Sequence, residues 1–197
     1  MRVSPDRAVV ALLLSFAACD AATDESLTAP PISLNQGNGV ELHVQGAGQV
    51  DLTAAGAGLA DFEFVAHRRA DGTVTGHFRQ SRDTPSGTVD FRGVVTCVTV
   101  DAAFPGRARI GGVVTENNST HPGFLTTNHE VGDDVWFRVT DSDGGLDAAD
   151  ASTTYGFVPT LVESSEAYCA LPFTGLPAWN PASIFPLKQG SIRVKVG

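Results

Sequence analysis

From Gly39 onward the chain is built of short runs in which apolar and polar residues alternate, the pattern of strands with one buried face. In DFEFVAHRR, residues 61–69, the apolar set is Phe62, Phe64 and Ala66; in TVTGHFRQ, residues 73–80, it is Val74, Gly76 and Phe78. The intervening Asp71-Gly72 suggests a two-residue hairpin turn, but that turn would set Phe64 opposite Arg79 and divide the apolar sets between two faces. A three-residue loop, Ala70 to Gly72 with Gly72 left-handed, restores the parity and predicts Phe64 facing Phe78 and Glu63 facing Arg79. Parity outweighs the dipeptide rule because a slip of one residue would expose a whole hydrophobic row.

The same reading predicts strands at 39–45, 48–53, 61–69, 73–80, 87–100, 107–116, 133–140 and 190–196. GTVDFRGVVTCVTVD is the longest, with Val94, Thr96, Val98 and Val100 assigned to one face and Val95 and Cys97 to the other. Apolar residues on both faces predict a strand covered by the core on one side and by a loop or helix on the other. Gly93 marks a candidate bulge. In GRARIGGVVT, Ala108 and Ile110 are expected inward and Arg107 and Arg109 outward; in DDVWFRVTD the inward set is Val135, Phe137 and Val139. The final GSIRVKVG, with Ile192, Val194 and Val196 on one face, is expected to pair with an early strand and so remove open sheet edges.

With Gly and Pro spread as punctuation between Val-, Thr- and Phe-rich runs, and no sustained helical period with caps at both ends, the fold class expected is all-β. The architecture predicted is a single antiparallel sheet over 39–197, closed or nearly closed into an up-and-down barrel of about eight strands; a β-sandwich is the alternative. An irregular strap is expected at about 141–189, where Tyr155, Phe157, Phe173, Trp179 and Phe185 stand among prolines.

The amino terminus reads as an export signal. Arg2 and Arg7 precede an apolar or small run from Ala8 to Ala18, which is too short to span a bilayer. LLLSFAAC resembles the lipobox of bacterial lipoproteins, which implies cleavage after residue 18, lipidation of Cys19 and anchoring to a bacterial membrane on its extracytoplasmic side. Phe16 departs from the aliphatic residue usual in that motif. Ordinary signal-peptidase cleavage, giving a secreted protein, and an unprocessed start are the alternatives. Residues 19–38, DAATDESLTAPPISLNQGN after the cysteine, hold too little apolar surface to fold and read as a disordered tether. Taking Arg2, Arg7 and Asp6 from 13 basic and 22 acidic residues leaves 11 against 21, a net charge of −10. That balance argues against nucleic acid as a partner.

If Cys19 is lipidated, Cys97 and Cys169 remain as a pair in an oxidising compartment, where a disulfide is the default. Such a bridge would contribute roughly 4 kcal/mol on the chain-entropy account. A buried free Cys97 is the competing reading.

Candidate chemistry is sparse. DSDGGLDAAD brings together Asp141, Asp143, Asp147 and Asp150, oxygens that suit calcium, although the glycine and glutamate positions of an EF-hand are missing. A solvated acidic turn explains the same residues. His67 and His77 fall on the outer parity of their hairpin, and His121 and His129 bracket a polar loop; none has the spacing of a zinc or acid–base site. No catalytic residue is named, and no cofactor beyond a calcium ion is suggested.

VTCVTVD, ARIGGVVT, VWFRVTDSDGG and the terminal GSIRVKV together resemble a family of small exported bacterial β-domain proteins of unknown function, over roughly Phe62 to Val196. The resemblance implies an exported β-domain and carries no catalytic residues. Two function classes follow. One is a non-catalytic envelope module that binds a small apolar ligand or another protein. The other is a cofactor-free small-barrel enzyme acting on a small apolar substrate, an analogy of fold alone. A cavity needs small inward residues, whereas a solid core needs Phe62, Phe64, Phe78, Phe91, Val135 and Phe137 to meet.

Overall fold

The computed structural model describes residues 39–125, 129–144, 150–152, 162–173 and 184–197. Among them eight strands pair in chain order, all antiparallel: β1 (Val40–Asp51), β2 (Leu59–Arg69), β3 (Val74–Thr84), β4 (Gly87–Val100), β5 (Arg107–Asn117), β6 (Asp134–Thr140), β7 (Ala151–Ser152) and β8 (Phe185–Val196). β8 returns to pair with β1, Val44 opposite Val194 and Gly46 opposite Ile192, so the sheet closes into the expected barrel. The ring is uneven, because β7 contributes only two residues. Two short helices accompany it, α1 (Pro122–Leu125) and α2 (Ser165–Ala170).

The hairpin of β2 and β3 has the register that parity demands: Phe64 faces Phe78, Glu63 faces Arg79, and Gly72 is left-handed with φ of 84°. Its loop is closed by the Arg69 N–H donating to Thr73 O at 2.9 Å.

Three expectations are corrected. The two strands expected at 39–45 and 48–53 are one strand, β1, which ends at Asp51. Its glycines do not interrupt it; they let neighbours approach. A Cβ on Gly46 would stand 2.7 Å from Phe64 Cε1, and one on Gly48 would stand 2.2 Å from Gln189 O. The second correction concerns β4. Its inward set is Val89, Phe91, Gly93 and Val95, and the register then shifts between Val95 and Cys97, after which Val98 points in. The extra residue at Thr96 is a bulge that reverses parity, so Val94 is outward and 46% exposed. The register also shifts between Arg92 and Gly93, but the extra residue there is Thr115 of β5, and Gly93 itself keeps the alternation of β4 instead of bulging. Third, the final strand begins at Phe185, not at 190, and the strap contains β7 and α2.

Candidate functional site

The interior of the ring is built from side chains that alternation sends inward. Phe64, Phe78, Phe91 and Phe137 are each at most 1% exposed. The Phe64 and Phe137 rings meet edge-on with centroids 5.2 Å apart, Phe78 lies 6.3 Å from Phe137, and Phe62 stacks on Phe64 at 6.1 Å. Glycines opposite the rings make this packing feasible. Phe78 lies across from Gly93, where an added Cβ would be 2.4 Å from its Cζ, and Gly112 is as tightly approached at 2.8 Å from Cε1. Gln80 also points inward and is buried, and Ser152, opposite the inward Val139, is a second buried polar residue.

One mouth of the ring is covered by α1 and His129, between β5 and β6. Asn117 Nδ2 donates to the carbonyls of Phe124 and His129 at 2.6 and 2.7 Å, which holds α1 and His129 back over the opening. Phe124 and His129 then pack on Phe91 with centroids at 6.3 and 4.6 Å, and the Arg82 guanidinium lies 5.2 Å from the Phe124 ring. His129, one of the two histidines expected to bracket a polar loop, is a buried part of this plug.

The acidic loop after β6 serves the sheet. β7 is too short to pair with the length of β8, and carboxylates substitute for it. Asp150 Oδ2 accepts the Ile192 N–H at 2.7 Å, and Asp141 Oδ2 accepts the Val194 N–H at 2.8 Å. Asp150 Oδ1 takes the backbone N–H and the hydroxyl of Ser142, each at 2.8 Å. Burial alone would raise the Asp150 pKa, but these donors outweigh it and hold it below its ordinary value. Asp143 pairs with Arg193. Asp147 lies outside the described residues, as do Cys19, Tyr155, Phe157 and Trp179. Among the described residues no three His, Cys, Asp or Glu side chains are grouped to hold a metal.

A second buried layer lies outside the ring, between α2 and the outer faces of β4, β5 and β6. Ser164 caps α2 by accepting the Ala167 N–H at 3.1 Å. Cys97 and Cys169 stand at disulfide distance, 2.10 Å, and tie α2 to β4. Thr96 and Ser165 share a hydroxyl hydrogen bond at 2.8 Å, Asp134 Oδ1 accepts the Ser165 N–H at 2.8 Å, and Tyr168 stacks on Trp136 at 5.4 Å. Gly111 leaves room for the sulfur: a Cβ there would be 2.7 Å from Cys97 Sγ.

Within this layer are two arginines. Arg109 and Arg138 are directly opposed across β5 and β6 and are both buried, Arg109 completely. Arg109 Nη2 donates to Leu171 O just past the end of α2, and its guanidinium lies 4.1 Å from the Phe173 ring and 5.4 Å from that of Tyr168. Burial pulls both arginines below their ordinary pKa, and pushes the Tyr168 phenol up to about 12 against the opposing pull of Arg138 and Arg109. The outward parity of Arg109 was legible in sequence; its burial was not. The available signal was the two-sided apolar character of β4, which requires a cover on this face.

On the opposite side of the ring the outer face is open. A groove of about 330 Å³ runs beside Gln45, Glu63, Val65, His77 and Arg193, and one of about 370 Å³ continues from Ser191 and Arg193 past Lys188 to Asp143. His67, on the expected outer parity, packs against His43 of β1 with centroids 4.3 Å apart. No protein-family model, curated protein or solved structure matches the chain, and what bears on its function is this division between a filled interior, a covered basic layer and an open polar face.

Proposed function

We propose that the chain is a non-catalytic module of the bacterial cell envelope, anchored through a lipid on Cys19, that works by contacting another protein with its outer face. The observation that carries this reading is the filling of the ring. Phe64, Phe78, Phe91 and Phe137 occupy the positions that a ligand barrel or a cavity enzyme would leave small. The grooves described above lie outside, lined by both signs of charge, Glu63 and Asp143 beside Arg193 and Lys188. Polar surfaces of mixed charge suit a protein partner better than an apolar small molecule. A tether after the anchor, over 19–38, would let the domain reach such a partner.

Native mass spectrometry of the protein recovered from bacterial membranes tests the reading. The expected mass is that of the chain from Cys19 plus its lipid, with nothing further retained by the folded domain, and Cys19→Ser moves the protein to the soluble fraction. A small apolar molecule held stoichiometrically by the domain would support the ligand-binding or enzyme reading instead.

A further inference from the structure

On the outer face of the ring, β1 and β2 set two histidines directly opposite each other, His43 and His67. Opposed residues of an antiparallel pair hold their Cβ atoms about 4.5–5.5 Å apart, close enough for two imidazoles to reach one ion. The rings stand with centroids 4.3 Å apart and planes tilted by 56°, so they are not stacked flat. Two imidazoles that bind one ion at about 2.0–2.1 Å, at an angle between square and tetrahedral, place their centroids roughly 4.5–5 Å apart. Rotation of the half-buried His67 side chain supplies that difference. Gln45, on the same face of β1, hydrogen-bonds to the His43 ring, and His43 Nε2 is buried without a hydrogen-bond partner. A hydrogen bond at one ring nitrogen fixes the tautomer and leaves the lone pair of the other for a metal, the usual arrangement behind a metal-bound histidine. The groove of about 330 Å³ beside Gln45 and Val65, the next residues along this face, provides open space next to the pair. Lys195 of β8 faces His43, and Thr75 of β3 faces His67. Glu41, two residues before His43, is paired with Arg68 at 3.5 Å. Among the described residues no third His, Cys, Asp or Glu is grouped with the two rings.

We infer that His43 and His67 form a surface site for a late first-row divalent metal ion such as zinc, held by one nitrogen of each ring with water in the remaining positions. Imidazole suits these ions, whereas calcium and magnesium prefer oxygen. Metal binding requires neutral rings, and partial burial together with the Lys195 charge already favours the neutral form of His43. The same Lys195 charge repels an arriving cation, but it sits on an exposed, flexible stem that can turn away, and salt screens it. The formal charge of the whole chain, −9, draws cations toward the surface. Two protein ligands in place of the four of a structural zinc site make the ion exchangeable. The inference does not depend on the proposed role at the envelope.

The test follows the imidazole resonances of the untagged, ¹⁵N-labelled full chain, assigned with His43→Gln and His67→Ala, during titration with zinc chloride in a buffer that does not bind zinc. The pH is held near about 7.5, where an ordinary imidazole is neutral. The His43 and His67 resonances should shift together and saturate with a single ion bound, while His121, beside α1, stays where it is. By calorimetry each variant should bind zinc about tenfold or more weakly, because the second bond forms at the high effective concentration of a group already next to the ion. Rings of His43 and His67 that zinc does not move, shifts shared equally with His121 and without saturation, or an affinity that His67→Ala leaves unchanged would each overturn the site. Both residues lie on the outer face, away from the core; should either variant fail to fold, the resonances of the unsubstituted chain still decide the question.

Discussion

On the inside of the ring β5 and β6 set Ile110 against Phe137; one residue along each strand, on the outside, they set Arg109 against Arg138. Both pairs are buried, in layers of opposite chemistry. The inner layer is stabilised by removing apolar area from water and by close contact between rings and glycine backbone. The outer layer is assembled from a disulfide, an aromatic stack, a short capped helix and cations that cost free energy to bury. Burial therefore means different things on the two faces: inside it is the source of stability, and outside it is imposed by a cover that other bonds hold down.

The comparison predicts unequal consequences of substitution. Phe137→Ala removes the ring that Phe64 and Phe78 both touch, and should cost about 3–5 kcal/mol in denaturant unfolding; a loss below about 1 kcal/mol would mean that the rings do not form one core. Breaking the Cys97–Cys169 bridge with paired serines should cost about 2–4 kcal/mol. The accompanying rise in hydrogen exchange should be concentrated in α2 and leave β1 to β3 protected. A uniform rise would erase the distinction between the layers.

Arg109→Met should leave stability in dilute buffer within about 1 kcal/mol of the parent or raise it, because an apolar side chain of similar length replaces a charge whose burial outweighs the pull of Asp101. A loss like that of Phe137→Ala would place Arg109 among the stabilising groups and remove the contrast. The smallest effect concerns the open face. Partial burial, then the nearby His67 and Lys195 charges, hold His43 below its ordinary pKa of 6.5. The unfolded chain thus takes up that proton at higher pH than the fold does. The stabilising contribution is complete above pH 6.5 and shrinks as pH falls below it. His43→Gln should flatten the decline in melting temperature over that range, and an unchanged slope would remove His43 as its source.

What the sequence disclosed follows from how directly each feature depends on alternation. The β2–β3 register was legible because only one pairing keeps Phe62, Phe64 and Phe78 on one face, and the closure of β8 on β1 followed from the regularity of Ile192, Val194 and Val196. The reversal at Thr96 was not, since a bulge inserts one residue without any compositional mark, and Val94 was therefore grouped on one face with Val98. The expected strands 39–45 and 48–53 left a gap at Gly46 and Ala47, whereas the chain stays extended there, with Gly46 admitting the Phe64 ring and Gly48 the β8 backbone. α2, at six residues, is shorter than the window over which a helical period can be recognised. Asp141 and Asp150 formed an acidic cluster in the sequence, and only the shortness of β7 explains why β8 amides claim them. Cys97 and Cys169 were paired by elimination, and the outer layer they tie down could not be anticipated from outward parity, which says nothing about what lies above a face.

The central claim is that aromatic side chains fill the ring. Nuclear Overhauser contacts among the ring protons of Phe64, Phe78 and Phe137, measured on the folded chain with selectively labelled phenylalanine, test it most directly. The account predicts strong contacts from Phe137 to both of the others and none from any of them to water. Rings that contact water or a retained ligand, with the Phe64–Phe137 contact missing, would contradict it.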